Sequence, residues 1–144
     1  MMAEHAPIAT RGAELRVVVV TPEQTVVDVT TDFVALPLYD GELGVAPGHA
    51  PTIGRLGYGE LRMGHEDSAQ RLYVDGGFVQ IADNLVSVLT NRAIPTARLD
   101  EHQLEDAVAN TLAQKAAGEE QLARREKLLA QTRGQLRVAR RAAK

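Results

Sequence analysis

Hydrophobic and polar positions alternate with a period of two between residues 14 and 89. Short apolar and β-branched runs are separated by turn-forming residues such as Asp40-Gly41, Gly57-Tyr58-Gly59 and Asp83-Asn84. Many short strands at this spacing are typical of an antiparallel sandwich or barrel. The predicted strands are residues 15–20, 26–29, 33–36, 42–45, 60–63, 71–74, 78–81 and 85–89.

The alternation within these strands favours two layers over a single sheet. Tyr73 and Asp75 lie on the face opposite to Val74, and Phe78 lies on the face opposite to Val79. A single sheet could not bury both faces. The segment Asp75-Gly76-Gly77 is interpreted as a tight turn between two of the strands.

After Ile94-Pro95 the spacing of apolar positions changes from two to about 3.6 residues. Leu104, Val108 and Leu112 then form one apolar stripe on a helix. Asp100, followed by Gln103 three residues later, predicts a capping box at its start. Gly118 interrupts the pattern, as a helix terminus or a hinge would.

A second helix is predicted from about residue 119 to residue 143. Its leucines repeat every seven residues, at Leu122, Leu129 and Leu136. The companion row is poor, because it consists of Arg125, Thr132 and Ala139. Gly134 costs about 1 kcal/mol relative to alanine in a helix. The narrow stripe therefore predicts only marginal packing of this helix on the rest of the chain, which it could leave.

The fold class expected from these patterns is α+β. An N-terminal antiparallel β-sandwich over residues 14–92 is followed by a C-terminal α-helical hairpin over residues 93–144. Residues 1–13 are predicted to be a disordered N-terminal tail.

Composition narrows the possible functions. The 144 residues suffice for one domain with an appendage. Cysteine is absent, which excludes disulfides and thiolate catalysis. Tryptophan is also absent, and two Phe and three Tyr offer little for base stacking. Neither a secretory signal nor an apolar run of membrane-spanning length is visible.

The net charge of -3 hides an uneven distribution. Residues 119–144 carry a local charge of +5, which leaves -8 on the remainder. Three interpretations are open: a solvated helix face, binding to nucleic acid, and contact with an acidic protein surface. The acidic body argues against nucleic acid as the partner. An acidic protein surface fits both the charge and the weak apolar stripe.

The segment of residues 41–51 places three glycines and two prolines around Glu42 and His49. Glycine and proline together resist a regular helix, so the segment is predicted to be a rigid turn that displays the acid and the histidine. A catalytic pair is not favoured, because no nucleophile or third orienting group accompanies them. The four histidines lack metal-ligand spacing, and no glycine run forms a phosphate-binding loop. We therefore expect no catalytic residue and no metal site, and a His49 side chain that hydrogen-bonds within the turn.

Residues 41–51, 54–61, 75–81 and 84–89 together resemble, in order and spacing, the epsilon subunit of bacterial F-type ATP synthases. The resemblance implies a non-catalytic subunit at the foot of the central stalk. Its sandwich would bind the gamma subunit and the polar loops of the c-ring, on the cytoplasmic face of the bacterial inner membrane. It would couple ion-driven rotation to ATP synthesis. The implied interface residues are Glu42, Gly44, Pro47, His49 and Pro51.

In that family the helical hairpin is a regulator. Docked on the sandwich it permits rotation in both directions, and extended along gamma it blocks ATP hydrolysis by engaging the catalytic beta subunits near an acidic segment, with alpha as an additional partner. The resemblance implies a hinge near Gly118. It also implies an inhibitory arm formed by Arg124, Arg125, Lys127, Arg133, Arg137, Arg140 and Arg141.

Some members of the family bind ATP through a Leu or Ile-Asp-x-x-Arg-Ala motif. This chain reads Leu99-Asp100-Glu101-His102-Gln103-Leu104, so that Gln103 replaces the arginine. Regulatory ATP binding at Asp100 is therefore not favoured, no cofactor is expected, and Asp100 is interpreted as a helix N-cap. The alternative for the whole chain is a free-standing β-sandwich binding module with a basic helical anchor.

Overall fold

The structure is a computed structural model that describes residues 14–142. The predicted tail of residues 1–13 lies outside the described residues. Within the described range, neither helix has the length and apolar content needed to cross a membrane. The strands are β1 (Leu15–Val20), β2 (Thr25–Thr31), β3 (Val34–Leu38), β4 (Gly41–Val45), β5 (Thr52–Met63), β6 (Gln70–Ala82), β7 (Leu85–Leu89) and β8 (Ala93–Pro95). The helices are α1 (Glu101–Ala113) and α2 (Gly118–Ala142), with short 3₁₀ turns at Glu66–Ser68 and Thr96–Arg98.

The eight strands described within residues 14–142 form one sheet that folds over into two layers. Their order is β2-β1-β7-β6-β5-β3-β4, and β8 pairs with β6 beside this path. The C-terminal part of β6 pairs with β7, whereas its N-terminal part pairs with β8. The long strands β5 and β6 thus belong to both halves of the sheet. One apolar core joins the halves, because Val17 and Val86 from one half and Leu36 and Leu61 from the other pack in a single buried cluster.

The predicted β-sandwich followed by two helices is confirmed. One strand pair differs from the antiparallel prediction, since β1 and β7 pair in parallel. No hairpin connects these two strands, so no turn signal in the sequence could have indicated their partnership. Strand β8 lies beyond residue 92, where the sequence placed the boundary of the sandwich, and that boundary stays a prediction.

The interpretation of Asp75-Gly76-Gly77 as a turn is wrong, because β6 runs through this segment. Gly76 and Gly77 have φ angles of +72° and +110°. A Cβ on Gly77 would lie 1.9 Å from the carbonyl oxygen of Leu89. The glycines therefore let β6 bend where it passes close to the backbone of β7.

Strand β5 is likewise longer than predicted, since it passes through Gly57-Tyr58-Gly59. A Cβ on Gly59 would lie 2.9 Å from Cβ of Pro37, and one on Gly57 would lie 3.2 Å from the carbonyl oxygen of Leu38. These glycines make room for the neighbouring strand β3 instead of ending β5. A glycine inside a strand and a glycine in a turn look alike in sequence.

Helix α2 docks on the sandwich through its C-terminal half. The buried residues are Leu129, Thr132, Gly134, Gln135, Leu136, Val138 and Ala139. Leu122 of the predicted leucine row is 44% exposed, whereas Thr132 and Ala139 of the companion row are buried. At Gly134 the helix backbone passes close to β5, because a Cβ there would lie 2.9 Å from Cβ of Tyr58. The glycine that counts against helix stability therefore allows the helix to pack tightly on β5.

Candidate functional site

The glycine- and proline-rich segment consists of strand β4 and a loop over residues 46–51. The loop is tied to the β6–β7 turn, because the Gly48 amide donates to Oδ1 of Asn84 at 2.7 Å. The His49 amide donates to the carbonyl oxygen of Ala46 at 3.2 Å. The His49 ring places Nδ1 2.8 Å from the carbonyl oxygen of Ala50. The expectation that His49 hydrogen-bonds within the turn is confirmed.

Gly44 precedes this turn, Pro47 lies within it and Pro51 follows it. Gly44 is in β4, where a Cβ would be 3.2 Å from Cε1 of Phe33. The Phe33 ring stacks on the His65 ring, with 5.4 Å between the ring centroids. Pro47 is half-buried, and Pro51 is exposed immediately before β5. An aromatic pair therefore supports the strand that leads into the loop.

Glu42 is in a different environment from His49. It lies in β4 opposite Pro37 of β3, and its side chain is exposed. It lines a cleft of about 490 Å³ together with Arg137, Arg140 and Arg141 of α2, and none of residues 46–51 lines this cleft. The structure thus brings Glu42 next to the cations of the helix, whereas the loop that carries His49 joins the β6–β7 turn.

Of the seven predicted cations of the arm, three contact residues outside α2 and a fourth pairs with an acid of α2 itself. Nη2 of Arg140 lies 3.0 Å from Oε2 of Glu105, in α1. Nη2 of Arg137 donates to the carbonyl oxygen of Tyr58 at 3.4 Å. Further contacts are Arg124 with Glu120 at 2.7 Å and Arg125 with the carbonyl oxygen of Leu112 at 3.3 Å. Within residues 14–142, Lys127, Arg133 and Arg141 have no ion-pair partner.

A buried polar cluster lies beneath α2 and was not predicted from the sequence. The Tyr73 hydroxyl donates to Oδ1 of Asp75 at 2.7 Å, and Nε2 of Gln131 donates to Oδ2 of Asp75 at 3.0 Å. Arg92 lies 3.8 Å from the same carboxylate. Burial, together with the Asp75 carboxylate, raises the pKa of Tyr73 well above its usual range, so the phenol stays a donor. The cluster links β6 to the docked helix.

The outer face of the other layer is apolar, and no other element within residues 14–142 covers it. This face was not predicted from the sequence. Its side chains project from the central strands β5, β6 and β7, and Phe78 pairs in register with Leu89. The exposed fractions are 77% for Ile53, 60% for Phe78 and 56% for Leu89. A groove beside Phe78 and Leu89 is also lined by Val20, Pro22 and Arg55. We call Ile53, Phe78 and Leu89 the apolar face.

The family is decided by the match to known proteins. Residues 14–96 match the family model described as the ATP synthase delta/epsilon chain, β-sandwich domain. The ATP synthase epsilon chain of Rhodopirellula baltica is 48% identical over 126 residues, which cover 88% of this chain and 98% of the relative. That of Desulfitobacterium hafniense is 35% identical over 75% of this chain and 76% of the relative. The chain belongs to the ATP synthase epsilon family.

Solved structures show the same fold. A chain in the cryo-EM structure of the Euglena gracilis mitochondrial ATP synthase superimposes with a TM-score of 0.76 at 21% identity, covering 91% of this chain and 81% of that chain. A chain in the central stalk and c-ring structure of the Tetrahymena thermophila enzyme gives 0.66 at 14% identity, covering 87% of this chain and 96% of that chain. The family resemblance found in the sequence is confirmed.

Two positions that the epsilon family resemblance singled out have clear local roles. Oδ1 of Asp100 accepts a hydrogen bond from the Gln103 amide at 3.1 Å, so Asp100 is the N-cap of α1, as predicted. Gly118 is the first residue of α2, with φ of +84°, and a Cβ there would meet nothing within 4 Å. Position 118 therefore requires glycine because of its backbone conformation and not because of close packing. The hinge at Gly118 stays a prediction. Among the described residues, no group of His, Asp or Glu is arranged to hold a metal ion.

Proposed function

We propose that this chain is the non-catalytic epsilon subunit of the central stalk of a bacterial F-type ATP synthase. It couples rotation of the c-ring to ATP synthesis through gamma, as a peripheral protein on the cytoplasmic face of the inner membrane. Membership of the epsilon family supports this assignment. The observation that carries it is the apolar face, because no other part of residues 14–142 covers these three large hydrophobic side chains on central strands.

The apolar face is the surface we assign to gamma. Aromatic and aliphatic side chains on a rigid sheet lose little conformational freedom when a partner buries them. The loop of residues 46–51 and its support are assigned to the c-ring loops, together with Glu42. The hydrogen bond from Gly48 to Asn84 fixes this loop on the sheet, which suits a contact that transmits force.

Replacing Phe78 by aspartate should abolish stable binding to gamma. The side chain is 60% exposed, so the fold should persist, while a charge placed in an apolar interface costs several kcal/mol in binding. The measurement is copurification of this chain with co-expressed gamma subunit. A matched control is Thr30→Asp, which adds the same charge at an exposed position of β2. Equal recovery of gamma with both variants would contradict the assignment of this face.

The hairpin is assigned a second role, the restraint of ATP hydrolysis. In the docked arrangement the Arg140 guanidinium is bound by acids of α1, whereas Lys127, Arg133 and Arg141 have no ion-pair partner within residues 14–142. Cations held on a long helix fit an acidic surface of the beta and alpha subunits. No nucleotide cofactor is proposed, because the Asp100 carboxylate caps α1 and Gln103 stands where ATP-binding relatives have arginine.

Removing residues 119–144 should raise the ATP hydrolysis rate of the assembled enzyme several-fold, by about the factor that 1 kcal/mol or more of lost inhibitory contact supplies. The measurement compares assembled enzymes that contain the full-length and the shortened chain. A companion variant, Arg133→Gln with Arg141→Gln, keeps the helix and removes two cations without an ion-pair partner in the described range. Unchanged hydrolysis in both enzymes would remove the inhibitory role and leave the coupling role in place.

A further inference from the structure

Helix α2 covers a sheet face that carries two acidic side chains. The register pairs Glu60 with Tyr73 and Tyr58 with Asp75 across β5 and β6, so these four residues share the outer face of their layer. Tyr73 is fully buried, and its hydroxyl lies 3.3 Å from the carbonyl oxygen of Gln131 in α2. Docking of α2 therefore removes both carboxylates from water, which is costly unless each finds partners.

Asp75 has its partners. Both carboxylate oxygens accept hydrogen bonds, one from the Tyr73 hydroxyl and one from Nε2 of Gln131. The second donor belongs to α2, and Arg92 adds a positive charge at 3.8 Å. Docking of the helix thus completes the hydrogen bonding of this acid, which favours the docked state.

Glu60 is in the opposite situation. Its side chain is only 4% exposed, and Oε1 accepts a hydrogen bond from Arg71 at 3.0 Å. Oε2 is buried, and no group of the described residues donates a hydrogen bond to it. Glu60 lines the cleft that Val138 and the arginines of α2 help to close, so the docked helix contributes to its burial. The described contacts of Arg137 and Arg140 go to Tyr58 and to acids of α1, and no arginine of the helix donates to Oε2. A charged oxygen in this condition raises the free energy of the docked state.

We propose that Glu60 is a release element for α2 that acts against the Asp75–Gln131 hydrogen bond. When the helix docks, Asp75 gains a donor, whereas Oε2 of Glu60 loses water and gains no donor. The two effects oppose each other and keep the docked and released states close in free energy, so that α2 can leave the sandwich without unfolding it. This inference rests on the proposed role of the hairpin as a part that leaves the sandwich.

Amide hydrogen exchange of the isolated full chain tests the proposal. In Glu60→Gln, amides of α2 between residues 129 and 139 should exchange about tenfold slower, since the buried charge is gone. Glu60→Met, which removes both polar atoms, should act in the same direction. Gln131→Leu should accelerate exchange of the same amides about tenfold, because it leaves Oδ2 of Asp75 without its donor. Amides of β1 and β7 should be unchanged in all three.

The matched control is Glu126→Gln, the same chemical change at an exposed position of α2. It should leave the exchange rates unaltered. Unchanged or faster α2 exchange in both Glu60 variants, or equal slowing in α2 and in β1, would overturn the proposal. These rates need no other subunit. A failure here therefore differs from a failure of the inhibitory role, which the hydrolysis rate of the enzyme lacking residues 119–144 reports.

Discussion

Replacing Gly77 by alanine should destabilise the sandwich by more than about 4 kcal/mol, a loss of the size that severe overpacking or backbone strain produces. A Cβ at this position would lie 1.9 Å from the carbonyl oxygen of Leu89 and 2.9 Å from Cα of Thr90. Both atoms belong to the backbone, so no side-chain rotation can relieve the overlap. Strand β7 would have to move away from β6, although the two strands are paired along residues 78–82 of β6.

Thermal unfolding of the purified chain, followed by circular dichroism, measures this loss. The midpoint should fall by about 10 °C or more, or the variant should be recovered largely unfolded. The matched control is Gly48→Ala, at φ of +87° with nothing within 4 Å of the added Cβ. That variant carries the backbone strain alone and should lose about 1–2 kcal/mol. Similar midpoints for the two variants would show that β6 and β7 do not approach as closely as described.

Glycines inside strands, such as Gly77, explain why the strands could be predicted only in part. Alternation of apolar residues correctly located β1 and β7, and the Asp83-Asn84 turn between β6 and β7 has the two positive φ angles of a tight hairpin. Gly57 and Gly77 were interpreted as ends of strands. Glycine is needed at these two positions because a neighbouring strand passes close by. Which strand is the neighbour depends on tertiary pairing, which a local sequence pattern does not contain.

The candidate site was predictable to the extent that its interactions are local. The N-cap at Asp100 and the hydrogen bond of the His49 ring each involve residues no more than three positions apart. The polar cluster joins Asp75 to Gln131, 56 positions away, so neither residue signals the other in sequence. The sequence indicated only that Tyr73 and Asp75 share one face of a strand. The apolar face was not predicted, because an exposed Phe78 and a buried phenylalanine produce the same sequence pattern.

Replacing Gly134 by leucine should release α2 from the sandwich while strengthening the helix itself. Leucine gains most of the roughly 1 kcal/mol of helix propensity that glycine forfeits. Its Cβ would lie 2.9 Å from Cβ of Tyr58 and 3.0 Å from the carbonyl oxygen of Tyr58, and the rest of the side chain would extend into the sheet. Overpacking of this kind costs about 1–3 kcal/mol or more, so the loss of docking outweighs the gain in propensity.

Hydrogen exchange of α2 amides between residues 129 and 139 should accelerate at least about 30-fold, which corresponds to about 2 kcal/mol of lost docking. Amides of β1 and β7 should keep their protection, because the core of the sandwich does not include the helix. Ala123→Leu is the control, since it adds leucine at an exposed position of the same helix. In the assembled enzyme, the proposed inhibitory role predicts that release lowers ATP hydrolysis, because a freed helix would spend more time against the beta and alpha subunits. If the helix is released and hydrolysis is unchanged, the described docking geometry stands and the inhibitory role is refuted. If the helix stays docked, the close contact at Tyr58 is contradicted.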